Sequence, residues 1–80
     1  MTIATAVSKR IDEFLYLRDI SLYKLARDSG LSPSTLQNLY RGNTKSPSLA
    51  MIYKICNGLK ITIFEFLDSP FFSQSEIELD

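Results

Sequence analysis

The sequence predicts an all-α fold: a compact five-helix bundle with a short C-terminal extension. Three observations predict it. Apolar residues recur at three- and four-residue steps rather than alternating. Ser or Thr stands just ahead of each later run, where a helix cap belongs, and Gly, Pro and Asn punctuate the gaps. Eighty residues, 45% of them apolar, are enough for one core and not for two. Residues 1–68 are therefore read as one domain. Residues 69–80 are read as a tail serving either in dimerisation or as a flexible arm.

Ile3, Val7, Ile11, Phe14 and Leu15 mark an amphipathic first helix from about Ala4 to Arg18, with Thr2 placed to cap it. Asp19-Ile20-Ser21 breaks it. The next helix turns Leu25 and Ala26 inward, and the small Ala26 lets another helix cross close by. Gly30 stops this helix at a position that needs a left-handed backbone, which a residue without Cβ adopts at almost no cost. Leu31 packs back into the corner, Ser32 caps a third helix, and Pro33 occupies its first turn, where a missing N–H is harmless. That helix runs from Pro33 to about Arg41. Gly42-Asn43-Thr44-Lys45-Ser46-Pro47 reads as a loop. Ser48 caps a fourth helix from Leu49 to about Asn57, with Ile52, Ile55 and Cys56 on its core face, and Gly58 is expected to end it. Thr62 and Glu65 form a capping box for a short fifth helix to about Leu67, with Ile61 and Phe66 as its hydrophobic staple. Asp68-Ser69-Pro70 stops that helix, and Phe71 to Asp80 has no clear period.

The third helix divides its faces. At about 100° per residue, Leu36 and Leu39 point one way with Tyr40 at their edge, while Ser34, Gln37, Asn38 and Arg41 form a stripe on the other side. Such a stripe suits a reader of base edges in duplex DNA. Gln and Asn make paired hydrogen bonds to adenine, Ser is adaptable, and Arg grips guanine or phosphate. Ser32, Thr35 and the N–H groups at the helix start are expected near phosphate, and Arg41, Asn43, Thr44 and Lys45 along the flanking backbone. Pro33 offers only apolar contact, such as to a thymine methyl, so readout there is expected to be loose.

Leu25-Ala26, Ser29-Gly30-Leu31-Ser32, Leu36, Leu39, Gly42, Pro47-Ser48-Leu49 and Ile52 through Leu59 resemble the helix-turn-helix domain of the phage repressor and Cro family, the XRE type, over roughly residues 3 to 68. The resemblance implies a lambda-repressor-like DNA-binding domain acting in transcriptional control as a repressor, paired as a homodimer on palindromic operators. Two departures stand out. Leu22 occupies a position where the family commonly carries Gln, and Tyr40 one where Glu is frequent.

Composition excludes other classes. There is no His, a single Cys, no Gly-rich phosphate loop and no carboxylate pair in an apolar segment, so no catalytic or metal constellation assembles and a non-enzyme is expected. Neither cofactor nor small-molecule ligand is expected. Cys56 sits among apolar neighbours and reads as a small core residue. A lone Cys and the lack of a secretory n-region point to a cytoplasmic protein. No apolar run approaches the ~18 residues of a membrane span. Formal net charge is zero, but unevenly distributed: Ser29 to Phe64 holds no Asp or Glu and includes Arg41, Lys45, Lys54 and Lys60, while Glu65, Asp68, Glu76, Glu78 and Asp80 follow. The field at the motif is expected to be positive and the tail acidic.

Phe64, Phe66, Leu67, Phe71, Phe72, Ile77 and Leu79 fall within sixteen residues, an apolar excess that suggests self-association through the C-terminal part or folding of Phe71 and Phe72 over the first helix. A rival reading keeps the fold but makes it a protein-interaction module for another regulator or a toxin, with little DNA affinity. Zero net charge, Leu22 and the acidic tail suit it.

Overall fold

The computed structural model describes residues 1–79; Asp80, the last residue of the acidic tail, lies outside the described residues. The helices are α1 (Ile3–Arg18), α2 (Leu22–Ser29), α3 (Pro33–Tyr40), α4 (Leu49–Leu59) and α5 (Ile63–Leu67), followed by a 3₁₀ turn at Pro70–Phe72. No strand occurs among the described residues, so the fold is all-α.

Each helix begins as its sequence predicts. Thr2, Ser21, Ser32, Ser48 and Thr62 are extended residues whose side-chain oxygens accept the N–H of Thr5, Lys24, Thr35, Met51 and Glu65 respectively. A cap of this kind contributes about 1 kcal/mol. Thr62 and Glu65 complete the reciprocal box, the Glu65 carboxylate accepting the Thr62 N–H at 3.0 Å.

The helix ends also share one device. A left-handed residue follows α1, α2, α3 and α4 (Asp19, Gly30, Gly42 and Lys60). The next residue then donates its N–H back into the last turn: Ile20 to Leu15, Leu31 to Ala26, Asn43 to Asn38 and Ile61 to Cys56, at 2.9–3.1 Å. These are Schellman closures, which satisfy carbonyls left open at a helix end.

Gly58 departs from its expected role. It lies inside α4, which continues to Leu59, and Lys60 supplies the left-handed turn with φ 59°. The reason for glycine is the crossing with α2: a Cβ at position 58 would stand 2.3 Å from Ser29 Oγ and 3.0 Å from Ser29 N. Glycine thus lets α2 and α4, the most extensively packed helix pair, approach closely.

Ile11, Leu25, Leu36, Leu39, Ile55, Leu59 and Phe66 are fully buried and join all five helices in one core. Phe14 and Phe66 stack with centroids 6.1 Å apart. Cys56 is free and buried, and burial, aided by Glu65, pushes its thiol above the ordinary range, so it stays protonated packing matter.

Two arginines of α1 bind the far end of the chain. Arg10 donates to the carbonyls of Phe66 (2.7 Å), Glu65 (2.7 Å) and Asp68 (3.2 Å), serving the open C-terminal end of the five-residue α5. Arg18 does the same for Leu59 at the end of α4, at 2.9 Å. A guanidinium suits this because its fork offers several donors in fixed geometry. The tail folds back across α1: Phe72 packs on the core with its ring centroid 6.0 Å from Phe66, Phe71 lies beneath the Lys9 ammonium, and Glu78 N–H donates to Met1 O at 2.8 Å.

Candidate nucleic-acid interface

α2 and α3 meet at a corner built from local chemistry. Leu25 and Ala26 are buried on α2, Gly30 turns the chain at φ 68°, and Leu31 N–H closes on Ala26 O at 3.0 Å. Ser32 then opens α3 with Pro33 in the first turn. The buried face of α3 is Leu36 and Leu39, clamped between α1 and α2. Tyr40 fixes the other end of α3 to α1: its hydroxyl donates to Asp12 Oδ1 at 2.8 Å, and its carbonyl accepts from the Ser8 hydroxyl. Because Asp12 stabilises the protonated phenol, Tyr40 titrates above its ordinary value. This tie gives a local reason for tyrosine at position 40.

A helix held at both ends presents its remaining face rigidly. Pro33, Ser34, Gln37, Asn38 and Arg41 are exposed along it, and Thr35 is half-buried. The hydroxyls of Ser32, Ser34 and Thr35 form a chain, with Ser32 donating to Thr35 Oγ1 at 2.7 Å and lying 3.3 Å from Ser34 Oγ. Ser32 also takes the Thr35 N–H, and proline has none to offer, so Ser34 supplies the unpaired N–H of the first turn. At the other end Asn43 is drawn back onto the Asn38 carbonyl, so the loop leaves α3 tightly. Asn43 and Lys45 are exposed and Thr44 is half-buried. Lys45 lies toward the start of α1 and shares a surface groove with Thr2 and Glu78.

Charge follows this geometry. Lys24 and Arg27 on α2 both engage Asp28, whose carboxyl is held below its usual range chiefly by the Lys24 hydrogen bond. Among the described residues no ion pair engages Arg41 or Lys45. Tyr23, passed over in the sequence, stands 75% exposed near the start of α2 and lines clefts shared with Pro33 and Gln37. Its signal was an aromatic residue off the apolar face of α2. No group of three or more His, Cys, Asp or Glu residues suited to a metal ion occurs among the described residues.

Two short helices joined at a glycine corner, the second clamped from behind and polar in front, define a helix-turn-helix domain. A family model described as the Cro/C1-type HTH DNA-binding domain matches residues 10–70, and the chain belongs to that family. Neither a curated protein nor a solved structure matches it. No helix among the described residues is long and apolar enough to cross a membrane.

Proposed function

We propose that this protein is a sequence-specific regulator of transcription, acting as a repressor, that sets α3 in the major groove of duplex DNA. The observation that carries the reading is the exposed Ser34, Gln37, Asn38 and Arg41 stripe on a helix whose opposite face is fully buried at Leu36 and Leu39. A helix immobilised in this way holds side chains at base edges with little entropy left to lose.

Ser34, Gln37 and Asn38 read bases; Ser32, Thr35 and the Ser34 N–H approach one phosphate, while Arg41, Asn43, Thr44 and Lys45 follow the flanking backbone. Pro33 makes apolar contact only. A module of this size meets few bases, so two copies on a palindrome supply affinity. Phe64 (81% exposed) and Leu67 (44%) on α5 offer apolar surface for pairing.

Duplexes selected from a random pool test the reading. Gln37→Ala and Asn38→Ala each lose about 1–3 kcal/mol on the preferred site and little on other sequences. Lys45→Ala weakens all sequences alike and lowers the salt slope by about one. Unchanged site preference in the Gln37 and Asn38 variants refutes the groove assignment. The absence of any steep salt slope favours the rival protein-interaction module.

A further inference from the structure

The acidic tail reaches the loop that follows α3. Beyond the 3₁₀ turn the chain returns to the start of α1, where Met1 N donates to the Glu76 carbonyl at 2.5 Å and the Glu78 N–H donates to the Met1 carbonyl at 2.8 Å. The Glu78 carboxylate lies 3.2 Å from Met1 N. Glu78 is thereby set in the lining of a groove of about 640 Å³ that also includes Gly42, Lys45 and Ser46. Lys45 is exposed and forms no ion pair among the described residues, so the tail brings carboxylates to this cation without a contact that would neutralise it. The hold on the tail is light. Ile77 is half-buried, Leu79 is 76% exposed, and neither helix nor strand forms from Ser73 to Leu79. A segment with so few buried apolar contacts opens at low cost.

We propose that residues 73–79 are an autoinhibitory strap: docked, they set Glu76 and Glu78 against the stretch of phosphate backbone that Lys45 meets, and bound duplex displaces them. The inference rests on the DNA-binding function proposed above, which lays the loop around Lys45 along that backbone. Duplex DNA carries one negative charge per about 1.7 Å of its axis, so phosphates drawn to Lys45 come up against the tail carboxylates in the same groove. Two unit charges roughly 10 Å apart in water change an equilibrium by about a factor of two before screening. The strap therefore tunes affinity and does not abolish it. Coupling of this kind is reciprocal: what the docked tail takes from DNA affinity, bound DNA takes from tail docking. Phe72 lies outside the strap, because its ring packs on the core against Phe66.

The test uses the full chain and a duplex selected from a random pool. Glu76→Gln with Glu78→Gln removes two exposed charges and is expected to tighten binding by about two- to fivefold at roughly 0.03 M salt, fading at about 0.3 M as the charges are screened. Glu65→Gln with Asp68→Asn makes the same change in net charge on residues outside the groove, and Gln at position 65 still serves the capping box. This control is expected to gain little. Nuclear Overhauser contacts between Met1 and Glu78 report tail docking directly. They are expected in the free protein and lost in the complex, while those between Phe72 and Phe66 persist in both. An equal gain in the control variant assigns the effect to net charge and overturns the strap. So does a gain that salt leaves unaltered, the absence of any gain, or a Met1–Glu78 contact that survives in the complex. In each of these cases the parent still binds duplex with a steep salt slope, and the DNA-binding function stands. If neither the parent nor the tail variant binds duplex, both fall.

Discussion

Gly58→Ala opposes helix propensity to packing, and the structure decides the sign. Ala is favoured over Gly by about 1 kcal/mol in a helix interior, and Gly58 lies inside α4. The added methyl, however, would stand 2.3 Å from Ser29 Oγ, 3.0 Å from Ser29 N and 3.1 Å from Ser29 Cα. The hydroxyl has no hydrogen-bond partner and can rotate away. The N and Cα atoms are backbone of α2, so relief requires α2 and α4 to separate along their contact. Overpacking of this kind costs about 1–3 kcal/mol. With two backbone atoms in the way the upper part of that range applies, and after the propensity gain the variant is expected to be about 1–2 kcal/mol less stable. For a domain of this size the Tm then falls by roughly 5–15 °C. Thermal and urea unfolding followed by far-UV circular dichroism measure it. Ser29→Ala removes the nearest atom and an unpaired buried hydroxyl, so alone it is expected to be neutral or stabilising. Combined with Gly58→Ala it recovers only the hydroxyl's share of the loss. A Gly58→Ala protein that melts above the parent refutes the close-crossing argument and restores glycine to a simple helix stop.

Lys60 bears a left-handed backbone at φ 59° with no special side-chain reason, so Lys60→Gly is expected to stabilise the protein by about 1 kcal/mol, seen as a higher urea midpoint at unchanged slope. At the α2–α3 corner, Ala26→Leu overfills a site that is 1% exposed and Gly30→Val places a β-branched residue at φ 68°; each is expected to lower stability by about 1–3 kcal/mol and weaken DNA binding with it, and parental melting temperatures in both refute the corner's role. Tyr40 donates to Asp12 only while protonated, and its pKa in the folded protein lies above the ordinary 10.0. Its contribution is therefore complete below pH 10.0 and lost as pH rises through the raised value. Tyr40→Phe is expected to lose about 0.5–1.5 kcal/mol at neutral pH and to converge on the parent above that range. Parallel stability profiles for the two proteins across alkaline pH overturn this.

How much could be read without the fold depends on how far each signal reaches along the chain. Caps at Thr2, Ser21, Ser32, Ser48 and Thr62 act over three residues, and the Gly30 turn and the Leu36/Leu39 face are equally local, so helix starts, the corner and the exposed stripe of α3 were legible. Two ends were not. Gly58 looked like a stop because glycine commonly is one, and only the packing of Ser29, far away in sequence, shows why it sits within α4. Lys60 gave no sign of a left-handed turn, since lysine disfavours it; the closure of Ile61 onto Cys56 and the docking of α5 hold it there.

The sequence by itself determined an all-α chain, the register of its five helices and the division of α3 into a core face and a polar face, because hydrogen-bonding caps and helical periodicity are short-range. Only the tertiary structure decided which partners those faces meet. It set Arg10 and Arg18 on the open carbonyls of α5 and α4, tied Tyr40 to Asp12, turned Phe72 onto the core, and opened the cleft between Leu22 and Pro33. Apart from Phe72 on Phe66, each of these joins residues ten or more positions apart, where no local pattern reports the pairing and the outcome follows from burying apolar surface while leaving few backbone carbonyls unsatisfied.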